Sequence, residues 1–205
     1  MSALETYRDD GPLARALGAL LGRGPRVPPV APIVAGLIPL LVLIAVEGGG
    51  ASHATAAIAV AWLVALGGAS SGLAHDDRLR WAVPPLLRLG EYAGILWIAA
   101  IAGSSSLPAA FALLLAVAFR QYDLVYRLRY RGTVPPAWVG LVSLGWDGRL
   151  VVAWILLVAG ALPAGLFVMA GLFFAIFVGE SVAGWAQFGR AQRPVLYEDE
   201  EDEVD

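Results

Sequence analysis

Apolar residues fill this chain in six long blocks, separated by short polar, glycine-rich or proline-rich breaks. About 20 consecutive apolar residues cross a hydrocarbon layer of roughly 30 Å at 1.5 Å per residue, so each block predicts one membrane-spanning helix. The first runs from Val30 to Val46 and is short, with Pro32 and Pro39 inside it. Proline is tolerated in a spanning helix when neighbours satisfy the carbonyls it frees. The second, Ala54 to Leu73, carries Gly67, Gly68, Ala69 and Gly72, a small face on which another helix can lie close. The third, Trp81 to Gly103, has Pro84 and Pro85 in its first turn, where a missing N–H costs nothing. The fourth spans Ala109 to Arg129 and the sixth Leu166 to Gln187. The fifth is harder to place, because Arg149 to Leu162 is too short to cross. It must begin near Ala137 or Gly145 and draw Asp147 and Arg149 into the membrane. The expected fold is all-α, a bundle of six transmembrane helices spanning residues 30–188.

Two flanks complete the organisation. Residues 1–29 read as a leader in which Pro12 to Leu21 has the pattern of a short amphipathic helix lying on the membrane surface. They do not read as a cleavable signal peptide. Residues 189–205 end in EDEEDEVD, an acidic tail expected to be disordered.

Composition sharpens this picture. The hydrophobic fraction is 59% and mean hydropathy +0.71, values that exclude an ordinary soluble domain. The net charge of −3 averages two unlike regions: removing the seven acids of the tail leaves +4 on the rest. All 14 basic residues are arginine and there is no cysteine, which excludes disulfides, thiolate metal sites and a cysteine nucleophile.

The arginines also report sidedness. They lie in the leader, the 75–80 turn, the stretch between the fourth and fifth blocks and the C-terminal flank, while the turns at 47–53, 103–108 and 160–165 have none. The two sets alternate over six spans, which places both termini in the cytoplasm of a multi-pass cell-membrane protein.

Candidate chemistry lies toward that same side. Arg88 and Glu91 sit three apart on one face of the third span; Arg120, Asp123 and Arg127 form a stripe on the fourth; Asp147 and Arg149 enter the fifth; Glu180 closes the sixth. Charges within a membrane persist when they face one another or a wet cavity. The expectation is one polar, cytoplasm-facing pocket. It has three readings: an ion-pair lattice that locks the helices; a phosphate site in which arginine forks hold a lipid headgroup or lipid precursor; or a catalytic site in which Asp76, Asp77, Asp123 or Asp147 holds Mg or Mn. A small transporter is a further alternative. The histidines, His53 and His75, fall on opposite sides, which argues against a shared metal. Nothing calls for nucleic acid, and the oligomeric state is not readable.

The stretches HDDRLRWAVPPLLRLGEYAGIL, FRQYDLVYRLRYRG, GWDGRL and FVGESVAGW carry a resemblance. Over residues 74–188 the chain resembles an uncharacterised actinobacterial membrane domain. In longer proteins that domain follows CDP-alcohol phosphatidyltransferase and nucleotidyltransferase domains. The resemblance implies work beside phospholipid synthesis, with membrane lipids and a lipid-synthesis enzyme as partners. It brings no catalytic residues. The phosphatidyltransferase pattern D-x-x-D-G-x-x-A-R is itself missing: Asp147 and Gly148 match its centre, but Leu144, Val151 and Val152 replace its first Asp and its Ala-Arg. That reaction is therefore not assigned to this chain.

Overall fold

The computed structural model describes residues 3–21, 27–73, 78–130, 132 and 134–191, and all regular structure among them is helical. Among the described residues nine α-helices follow in order: α1 (Ala3–Arg8), α2 (Pro12–Leu21), α3 (Val30–Glu47), α4 (His53–Ala69), α5 (Val83–Ala102), α6 (Leu107–Tyr130), α7 (Ala137–Val142), α8 (Gly145–Val158) and α9 (Leu162–Ala191). Six segments are long and apolar enough to cross a membrane, the fifth being α7 and α8 taken together as Ala137–Val158. This is an all-α, multi-pass membrane protein. Residues 192–205 of the acidic tail, and His75, Asp76 and Asp77 of the charged turn, lie outside the described residues.

Local chemistry explains the helix starts. Ser52 caps α4, its Oγ accepting the Thr55 amide at 3.0 Å. Proline occupies the first positions of α5. The core is formed where helices meet: Leu63, Leu87, Ile95, Ile98, Leu113, Trp146 and Leu150 are buried, whereas Ile58, Leu115 and Val168 stand exposed on the outer surface. Large aliphatic side chains facing outward are what a lipid-facing surface requires. Gly67 leaves room for the Trp146 indole, so α4 and α8 approach closely.

The bundle has two unlike ends. At one, the arginine-free turns gather: Trp97 Nε1 donates to the Gly48 carbonyl at 2.7 Å and Trp154 Nε1 to that of His53 at 3.1 Å. At the other, the N-terminal segment enters the bundle. α2 forms over the expected residues, but it is not an isolated surface helix, since it buries Ala14 and Gly18 against α4. The chain passes between α5, α6 and α8, where Gly11 meets Leu144 and Gly145 so tightly that a Cβ on either glycine would strike the other strand's backbone.

The fifth span differs from an unbroken helix. It stops at Val142, turns through Ser143 and resumes at Gly145, with Leu144 at φ 64° and Gly145 at φ 68°. A left-handed leucine is uncommon. The break lets the backbone cross Gly11, and it turns the start of α8 toward the N-terminal segment.

Candidate functional site

The site begins with two helix starts that cap each other. Asp147, in the first turn of α8, accepts the amides of Gly11 at 2.6 Å and Ala14 at 2.9 Å, which belong to the start of α2. In return the Trp146 amide at the start of α8 donates to the Asp9 carbonyl at 3.2 Å. Unpaired N–H groups at helix starts attract carboxylates, so this exchange pins the N-terminal segment across the fifth span. Trp146 Nε1 adds a bond to Asp10 at 2.9 Å. Asp147 therefore stands apart from the arginines with which the sequence grouped it.

The pinned segment delivers Asp9 into a ring of guanidiniums. Its carboxylate lies 2.8 Å from Arg149 Nη2, 3.0 Å from Arg120 Nη2 and 3.5 Å from Arg88 Nη2. Glu91 closes the other side, 2.5 Å from both Arg88 Nη1 and Arg149 Nε. Arg149 and Glu91 are fully buried. Arg88 Nη2 also donates to the carbonyl of Arg8, the last residue of α1, at 3.0 Å. Arg149 Nη1 donates to the Ser143 carbonyl at the helix break at 2.9 Å, and Arg120 bonds the Ser143 hydroxyl. Burial alone would raise the Asp9 carboxyl, but Arg149, Arg120 and Arg88 outweigh it and lower its pKa from 3.8 to about 2. Three guanidiniums facing two carboxylates leave this cluster with a net charge of +1.

The sequence predicted one pocket, and the structure contains two clusters. The α6 stripe divides. Arg120 turns to Asp9 and Ser143, while Arg127 pairs with Asp123 at 2.7 Å and with Glu180 of α9 at 2.8 Å. The Ser181 hydroxyl donates to Asp123 at 2.9 Å. Gly184 makes space, for a Cβ there would crowd the Arg127 guanidinium at 3.0 Å. Beside this second cluster Tyr122, Tyr126 and Tyr130, four residues apart along α6, lie on one face, and the Tyr126 ring sits tilted 4.6 Å from that of Tyr130 and 5.7 Å from that of Trp185 between centres.

A cavity of about 700 Å³ opens against the first cluster. Its lining includes the polar residues Thr6, Asp9, Asp10, Arg15, Ser71 and Arg120 and the apolar residues Leu124, Val134, Pro135, Pro136 and Ala137. That volume suits a small-molecule ligand. Asp10 is bound by Arg8 at 2.6 Å, whereas Arg15 is exposed and has no ion pair among the described residues. No group of three metal-binding side chains gathers among the described residues, and the candidates Asp76 and Asp77 lie outside them.

A family model described as a family of unknown function, DUF5941, matches residues 1–202. The chain belongs to the DUF5941 family. No curated protein and no solved structure matches it. The DUF5941 match reaches well beyond residues 74–188 and takes in the segment that carries Arg8, Asp9, Asp10 and Arg15. Sequence reasoning passed over those four. One signal was present: Asp9-Asp10-Gly11-Pro12 is an acidic turn leading directly into a proline-started helix.

Proposed function

We propose that this chain is a non-catalytic module of the cell membrane, its arginine-rich end cytoplasmic, that binds an anionic lipid or lipid precursor beside phospholipid synthesis. The observation that supports this reading best is the mixed lining of the cavity. Two arginines, Arg15 and Arg120, and the apolar residues Leu124, Val134, Pro135, Pro136 and Ala137 border the same space, so one site can meet both the charge and the stem of an amphiphile. The neighbouring ion cluster is net positive, and it leaves the buried Nε atoms of Arg88 and Arg120 without hydrogen-bond partners among the described residues. The resemblance over residues 74–188 adds the context of nucleotide-activated lipid chemistry. A metal-dependent headgroup transferase has less support, because two of its candidate ligands are already engaged, Asp123 by Arg127 and Asp147 by the amides of Gly11 and Ala14.

Native mass spectrometry of the protein released from its own membrane in mild detergent tests the proposal. The expected spectrum holds a retained anionic lipid that Arg15→Gln and Arg120→Gln both lose. A spectrum of bare protein overturns it.

A second reading, a small transporter, draws on the interrupted fifth span, since broken helices beside buried charges are used in ion and substrate pathways. Substrate counterflow in proteoliposomes separates the two.

A further inference from the structure

Asp9 occupies its place in an unusual way. One carboxylate from outside the six spans serves three arginines that come from three different spans, α5, α6 and α8. Its backbone stands at φ 53°, a left-handed conformation that aspartate and asparagine tolerate better than most residues. Without Asp9, the described ring would hold Arg88, Arg120, Arg149 and Glu91, a net charge of +2. A phosphate monoester carries about −1.5 to −2 at neutral pH and offers three acceptor oxygens, so it matches that ring better than a single carboxylate does. Asp9 and Arg120 both border the cavity, so an anion arriving there meets the ring directly.

We infer that Arg88, Arg120 and Arg149 form a binding site for a phosphate monoester, and that the Asp9 carboxylate holds this site until such a ligand displaces it. The inference rests on the proposed ligand role of the cavity and names its chemistry: a terminal phosphate, on a lipid or free, rather than a phosphodiester. The N-terminal segment then acts as an internal competitor. Removing its charge uncovers the site and leaves its backbone geometry in place.

Asp9→Asn keeps the left-handed backbone and deletes the charge. It is compared with the unchanged chain in nanodiscs containing phosphatidate, a monoester, or phosphatidylglycerol, a diester, and in detergent with inorganic phosphate. Asp9→Asn is expected to bind phosphatidate about tenfold more tightly or better, because the occupied fraction no longer subtracts from affinity. Phosphatidylglycerol should gain clearly less. A gain for inorganic phosphate alone supports the site and assigns it to a soluble ligand. Equal binding of phosphatidate and of phosphate by both chains overturns the inference while the lipid-binding reading stands. No binding of any lipid or of inorganic phosphate by either chain overturns both. If Asp9→Asn unfolds in chloride, extraction in phosphate decides: recovery of the fold supports the inference, and failure in both buffers overturns it.

Discussion

Two ion clusters, a few residues apart along α6, use the same side chains for different ends. Around Arg127, one guanidinium faces Asp123 and Glu180 and joins two long neighbouring helices. Around Arg149, three guanidiniums face Asp9 and Glu91, and the elements that meet there come from both the bundle and the segment before it. The Arg127 cluster is net negative, its lone guanidinium shared between two acids, and it serves as a clasp. The Arg149 cluster is net positive and lies against a cavity. The difference teaches that charge balance and neighbouring space, rather than residue type, separate a structural ion pair from a candidate binding site. Removing one partner from a buried pair is costly in either case, because the other charge is left unsolvated.

The comparison breaks most visibly at Arg149. Arg149→Leu removes the fully buried guanidinium shared by Asp9 and Glu91 and leaves the two acids to Arg88 and Arg120 alone; a loss of about 3–5 kcal/mol is expected, read as a large fall in thermal midpoint in detergent. Arg127→Leu strands two acids that sit nearer the surface, each 14% exposed, so about 1–3 kcal/mol is expected. The clasp interpretation also requires that this variant keep its lipid; loss equal to that of Arg120→Gln would merge the two clusters into one site.

Acid titration gives the next effect. The Asp9 carboxyl is depressed from 3.8 to about 2, so its contribution is present above pH 3.8 and is lost as pH falls through about 2. It amounts to about 2 kcal/mol. Asp9→Asn should flatten that part of a stability profile measured between pH 5 and 2, while Arg127→Leu should leave it. Arg15→Gln, at an exposed position, should leave the thermal midpoint unchanged and weaken lipid retention alone.

Sidedness sharpens the comparison with no energetic effect at all. The chain lacks cysteine, so Val134→Cys and Gly50→Cys are each labelled singly. An impermeant maleimide applied to intact cells should reach the second and not the first; the reverse result would turn the cavity to the outside.

Much of the fold was legible because it follows from local pattern. The fourth apolar block, read as Ala109 to Arg129, is α6 at Leu107–Tyr130, and Pro12–Leu21 is helical over the expected residues. Arg88 and Glu91, three apart, pair as helical spacing dictates. The site was only half legible. Its arginines stood out because charge within an apolar block is conspicuous. Asp9 did not, because an acid in a polar leader looks ordinary until the chain folds back. Asp147 misled for a related reason: its nearest partners are amides 133 and 136 residues away, and amides carry no mark in a sequence.

By itself, the order of residues determined the six crossings, the contrast between an arginine-rich and an arginine-free end, and the helical faces on which charges sit. Those properties depend on burying apolar length and on a 3.6-residue turn, which neighbours along the chain already specify. The tertiary structure alone decided that α6 would serve two clusters, that the fifth span would break at Ser143, and that Asp9 would fill the arginine ring. Each depends on segments far apart in the chain reaching the same few ångströms. There, in surroundings that solvate charge poorly, every charge must find a partner wherever the fold brings one.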